Sequence, residues 1–143
     1  ERWLDAVSGL RAALAPAAIG ELEPLPHAQA QQLLGLGLAR CGELWAAIAA
    51  LSASLELAEP TARALLQRGT LLLMVGRAVA ALDDLDEALA LRPGWGRALH
   101  RRAFVRKELR DFDGAATDFE AAAAADPELR VNYLHVYRET LPA

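Results

Sequence analysis

Seven cationic side chains crowd the stretch from Arg92 to Arg110: Arg92, Arg97, Arg101, Arg102, Arg106, Lys107 and Arg110, against the single acid Glu108. This segment carries +6 in a chain of 143 residues whose formal net charge is -4. A guanidinium holds a carboxylate through two parallel hydrogen bonds, which an ammonium cannot reproduce. The chemistry on offer is therefore capture of an acidic or carboxylate-bearing ligand. The internal alternative is pairing with Asp83, Asp84, Asp86 and Glu87, or with Asp111 and Asp113. With Leu82, Leu85 and Ala88 on a packed helical face, all four carboxylates of the acidic run are expected in solvent. No spacing suits catalysis. His27, His100 and His135 lie 73 and 35 residues apart, far from the one-turn spacing of helical metal ligands. The pairs Gly35/Gly37 and Gly94/Gly96 complete no phosphate-binding loop, and Cys41 has no activating base near it in sequence. These absences imply a chain that is not an enzyme and uses no metal or cofactor.

Composition sets the elements that must position such residues. With 32 Ala and 27 Leu, an apolar fraction of 54 % and an aromatic fraction of 6 %, the chain favours many small helix–helix contacts over a β-sandwich. The acidic balance argues against a global nucleic-acid or membrane-surface binder. No apolar run approaches the ~18–20 residues needed to span a bilayer. A single cysteine excludes an intrachain disulfide framework and implies an intracellular, cytoplasmic setting. The opening Glu1-Arg2, without an initiator Met, is expected of a piece of a longer protein.

The dominant signal is a 34-residue period. Gly35, Gly69 and Ala103 keep this step, as do Gly42, Gly76 and Arg110, then Ala47, Ala81 and Ala115, then Leu51, Leu85 and Phe119, and finally Pro93 and Pro127. Ala81, Leu85 and Ala88 are spaced i, i+4, i+7 and share one helical face, and the other units repeat this. A glycine in mid-helix costs about 1 kcal/mol against alanine, so its recurrence predicts a closely approaching second helix. Gly42 and Gly76 end first helices, and the prolines stop second helices. Each unit is thus a helical hairpin that must stack on its neighbours.

Leu65, Gly69, Leu72, Gly76, Ala81, Leu85, Ala88 and Pro93 together resemble the tetratricopeptide repeat signature. The resemblance implies an all-α, right-handed superhelical solenoid of antiparallel hairpins that serves protein–protein interaction. Full repeats read 28–61, 62–95 and 96–129. Residues 1–15 look like the second helix of a preceding repeat, 16–27 like a proline-containing linker, and 130–143 like a capping helix or the first helix of a further repeat. In the third unit Arg106 replaces the large apolar residue usual there, and in the first Gln31 does so.

In this family the first helices line a concave groove. Register then brings Arg63, Gln67, Thr70, Arg97, His100, Arg101 and Phe104 to its exposed side as peptide-binding residues, with Gln29, Gln32, Leu33 and Leu36 from the first unit. Trp95-Gly96-Arg97 with Arg101 is similar to part of the carboxylate clamp, a subset of the family that grips chaperone tails. Gln67 stands where that clamp has Asn, whereas Gln32 and Leu36 stand in its Lys and Asn slots. The partner implied is an acidic protein or peptide segment, with no nucleic acid and no membrane. The rival reading is an architectural module joining flanking domains or subunits. Nucleic-acid binding is weakened by the lack of aromatics for base stacking.

Overall fold

A computed structural model describes residues 2–15 and 24–129. They form seven α-helices: α1 (Arg2–Ala13), α2 (Pro24–Arg40), α3 (Leu44–Leu57), α4 (Ala62–Met74), α5 (Ala78–Leu91), α6 (Gly96–Glu108) and α7 (Phe112–Ala125). A short 3-10 turn, Pro127–Leu129, follows. The helices α2/α3, α4/α5 and α6/α7 pair as hairpins, each hairpin packs on the next, and α1 packs on α2. The expected closing helix at 130–143 lies outside the described residues, as does most of the linker at 16–27.

The linker reading needs one correction. Helix α2 starts at Pro24, so residues 24–27 are helical and the first helix of this unit is longer at its start than those that begin at Ala62 and Gly96. Pro24 and Pro26 both sit in the first turn, where backbone N–H groups have no intrahelical acceptor and proline's missing donor costs nothing. Prolines that read as linker punctuation are here the opening of a helix.

Each first helix ends in the same turn. The N–H of Glu43, Arg77 and Asp111 donates to the carbonyl of Leu38, Leu72 and Arg106, closing three superimposable C-terminal caps. That cap needs a left-handed residue, supplied by Gly42 (φ 82°), Gly76 (φ 81°) and, in the third unit, Arg110 (φ 66°). Arg110 bears the steric cost that the two glycines avoid.

Inside each hairpin the small residue of the first helix faces the large residue of the second. A Cβ at Gly35 would lie 2.8 Å from Leu51 Cγ and 3.2 Å from the Ala47 carbonyl oxygen; one at Gly69 would lie 3.1 Å from Leu85 Cγ. Ala47, Ala81, Leu51, Leu85 and Phe119 are all essentially inaccessible to solvent. Val7 of α1 and Leu14 just beyond its end are buried with the first hairpin's core, whereas Ala6 is exposed and Leu10 half-buried. Gly9 there meets nothing within 4 Å. The three mid-helix glycines should therefore respond oppositely to substitution. Gly35→Ala and Gly69→Leu are expected to destabilise, the latter by at least ~1–3 kcal/mol through overpacking. Gly9→Ala should stabilise by up to about 1 kcal/mol through helix propensity alone. Urea denaturation of the three variants measures the contrast.

Candidate functional site

The arginines divide into two populations. Arg68 on α4 and Arg102 on α6, one period apart, each grip an aspartate of their own hairpin's second helix. Arg68 Nε and Nη2 donate to Asp84 Oδ2 and Oδ1 at 2.8 and 2.7 Å. Arg102 Nε and Nη2 donate to Asp118 Oδ2 and Oδ1, both at 2.8 Å. Each also reaches back to the preceding unit, Arg68 Nη1 to Ser52 Oγ at 3.2 Å and Arg102 Nη1 to Asp86 Oδ1 at 3.0 Å. Arg106 adds a second cation to Asp118 at 3.0 Å. These hydrogen bonds, with the carboxylate charges, raise the pKa of Arg68 and Arg102 and outweigh the effect of burial.

This ladder corrects the expectation for the acidic run. Asp84 is buried, only 4 % exposed, because it faces the paired first helix rather than solvent. In the first unit the same two columns hold Leu34 and Ala50, an apolar pair that is likewise buried. The stack therefore accepts either an ion pair or a hydrophobic pair at this point. Replacing both partners, Arg68→Leu with Asp84→Ala, is expected to change stability by less than about 1 kcal/mol. Asp118→Asn, which takes from Arg102 its bidentate carboxylate and leaves it and Arg106 only the exposed Asp86 and Asp111, should cost about 2–4 kcal/mol. Chemical denaturation of the two variants side by side tests the difference.

Arg63, Arg97 and Arg101 form the second population. They are exposed, and no described residue forms an ion pair or hydrogen bond with any of them. A cavity of about 640 Å³ opens beside them between the first helices, with Arg97, Arg101, His100, Gln67 and Thr70 among its lining. A second cavity of about 360 Å³ adjoins it through the shared residues Leu36 and Gln67 and brings in Arg63, Gln29, Gln32 and Leu33. The fold thus gathers most of the residues that register places in the groove.

Two of those residues differ in detail from the sequence expectation. Phe104 does not line either cavity but packs edge-on against His100 and Phe119, with ring centroids 5.0 and 5.2 Å away. His100 is buried, 8 % exposed, rather than displayed, because those two rings draw its imidazole into the hairpin. Thr70 donates its hydroxyl to the Leu66 carbonyl one turn back, at 2.7 Å. Gln67 accepts from Gln32 Nε2 at 3.2 Å, so the two groove amides are joined across adjacent repeats.

Arg40 is a cavity residue that the repeat register does not single out. It closes α2, lines the larger cavity, and rests on the Trp3 ring of α1 at 5.5 Å. The only available signal was its position, one turn beyond Leu36 on the same helix. Cys41 is half-buried against the first hairpin's core. No cluster of three or more His, Cys, Asp or Glu that could hold a metal occurs among the described residues, and no described helix is long and apolar enough to cross a membrane.

No family model matches the chain. Similarity to curated proteins is nevertheless specific. The chain is 35 % identical over 105 residues to tetratricopeptide repeat protein 36 of Mus musculus, an alignment covering 69 % of this chain and 55 % of that protein. The Bos taurus counterpart is 35 % identical over 116 residues, covering 73 % of this chain and 61 % of its own length. A segment of 54 residues is 41 % identical to the protein FlbA of Caulobacter vibrioides, 38 % of this chain and 9 % of that one. The chain belongs to the tetratricopeptide repeat family. It spans between about half and two thirds of the length of the mammalian relatives and a small part of FlbA.

Solved structures carry the same solenoid. The Arabidopsis OM64 repeat domain superposes with a TM-score of 0.77 at 17 % identity, covering 83 % of this chain and all of that one. The first repeat domain of Spaghetti (RPAP3), solved with the HSP90 peptide SRMEEVD, gives 0.76 at 19 % identity, covering 83 % of this chain and 96 % of that one. At these identities the likeness is one of fold: an all-α, right-handed superhelix of antiparallel hairpins.

His100 carries a measurable consequence of its burial. Loss of hydration lowers its pKa below the ordinary 6.5, and the neighbouring Arg101 charge lowers it further. The unfolded chain then binds more protons than the folded one, so His100 withdraws stability as pH falls below about 6.5 and down through its folded pKa. The column's previous occupant is Leu66. His100→Leu is expected to reduce the loss of thermal stability between pH 7.5 and about pH 5 relative to the parent chain, as read by melting temperature at each pH.

Proposed function

We propose that this chain is a non-catalytic protein-interaction scaffold whose concave groove binds an acidic or carboxylate-bearing peptide segment of a partner protein. One observation carries the reading. Among the described residues, Arg68, Arg102 and Arg106 are satisfied by carboxylates, whereas Arg63, Arg97 and Arg101 have no partner on the groove side. Pairing is readily available in a protein of net charge -4, so unpaired arginines beside a cavity favour an external anion. A neighbour of the same fold holding a peptide that contains two glutamates and an aspartate supports this use of the groove. The first unit departs from the chaperone-tail clamp at Gln32 and Leu36, so the reading is general recognition of an acidic segment rather than of that tail.

Charge reversal separates the groove from the rest of the surface. Arg97→Glu with Arg101→Glu should abolish retention of an acidic partner in a pull-down, while Asp83→Lys on α5 should leave it intact. Binding should weaken as salt rises from about 0.05 to 0.5 M, because exposed charges are screened beyond ~8–10 Å at physiological ionic strength. Loss with Asp83→Lys and not with the arginine pair would place the partner on the other surface.

A further inference from the structure

The 640 Å³ cavity has cations from two different repeats and an apolar floor between them. Arg97 and Arg101 come from α6 in the third unit, and Arg40 from the end of α2 in the first. Leu36 and Ala39 of α2 and Leu66 of α4, all partly accessible, form the floor. Arg40 has no carboxylate partner among the described residues; its guanidinium lies over Trp3, within the ~6 Å at which a cation is drawn to an aromatic face. Trp3 is 44 % exposed, so this contact orients the guanidinium while leaving it open to water. At the same cavity, His100 Nε2 is buried with no hydrogen-bond partner among the described residues. A buried polar atom left unsatisfied is a standing cost that a ligand's polar group can relieve.

From this arrangement, and resting on the groove reading above, we infer that the ligand is an internal peptide segment in which a large aliphatic residue is flanked on both sides by carboxylates. The aliphatic side chain fills the Leu36–Ala39–Leu66 floor. One flanking carboxylate pairs with Arg97 and Arg101, and the other with Arg40. Trp3 is a positioning residue that acts through Arg40, which gives α1 a part in recognition as well as in packing. A free chain end is unnecessary, because side-chain carboxylates meet both cationic walls. Uniformly acidic peptides lack the group that the floor accepts, and uniformly apolar ones lack the groups that the two walls accept. Volume agrees with a short segment, since ligand clefts commonly enclose ~300–1,000 Å³.

The test uses fluorescence anisotropy with the 143-residue chain and peptides blocked at both ends. The probe holds Glu-Glu-Leu-Glu-Glu between Gly-Ser spacers; companions replace Leu by Ser, or the two Glu on one side by Gln. Leu-to-Ser should weaken binding about tenfold or more, in line with burial of one leucine side chain. Arg40→Gln should weaken it about five- to tenfold, and Arg97→Gln with Arg101→Gln by more, whereas Arg110→Gln, away from the cavity, should stay within twofold. Trp3→Leu should mimic Arg40→Gln, and Trp3→Tyr, which keeps an aromatic face, should restore binding; melting temperatures recorded alongside separate lost folding from lost positioning. If the probe binds and depends on Arg97 and Arg101 but is indifferent to Arg40 or to the central leucine, the two-walled site is wrong and the acidic-groove reading survives. If no acidic peptide binds, or binding ignores Arg97 and Arg101, the groove reading falls and this inference with it.

Discussion

Everything in this chain depends on how closely the two helices of each hairpin approach. Gly35 and Gly69 sit where a side chain would press on Leu51 and Leu85, Ala103 packs in the same way on Phe119, and those three large residues are sealed from water. Burial of large apolar side chains is the main favourable term in folding, at roughly 25 cal/mol per Å² of apolar surface removed from water. The helical cost of glycine is about 1 kcal/mol, which is smaller than what one buried leucine contributes. The contact recurs three times at one step, so each hairpin presents the next with nearly the same surface. A solenoid follows from that repetition.

The same regularity makes the interior tolerant at defined points. One column carries Leu34 with Ala50 in the first unit, Arg68 with Asp84 in the second and Arg102 with Asp118 in the third. An ion pair survives there because its geometry is bidentate and the cation also reaches the preceding repeat. Shielded carboxylates fully occupied by their own arginines cannot compete for the groove arginines. The ladder thus sorts cations into those that hold repeats together and those exposed at the groove, and this sorting links the packing of the fold to its proposed use.

His100 shows how the two requirements meet in one side chain. Its ring completes an edge-to-face cluster with Phe104 and Phe119 in the third hairpin, and it also borders the cavity next to Arg101. Burial keeps it from holding a proton as readily as a free imidazole, so it adds little positive charge to a groove already lined by arginine. The neighbouring glutamines follow a different rule. Gln32 and Gln67 are joined to each other across the repeat boundary, where the third unit exposes cations.

The period, the hairpin boundaries and the small-against-large columns were legible in the sequence alone, because residues 34 apart must occupy equivalent environments and the helical step puts i, i+4 and i+7 on one face. So was the arrival of Arg63, Arg97, Arg101 and Gln67 at one groove. The start of α2 was not, because proline is equally at home in a linker and in a helix's first turn. Nor was the fate of individual charges. Arg101 and Arg102 are adjacent in sequence, yet the 100° turn between them sends one to the groove and the other to Asp118. Asp83 and Asp84 divide in the same way, one solvated and one buried against Arg68. Arg40 lines the cavity with its guanidinium over Trp3 of α1, a contact between helices that sequence spacing does not show. A charged side chain's partner is set by the rotation of its helix and by what the neighbouring helix places within about 3 Å, and only the tertiary structure decides both.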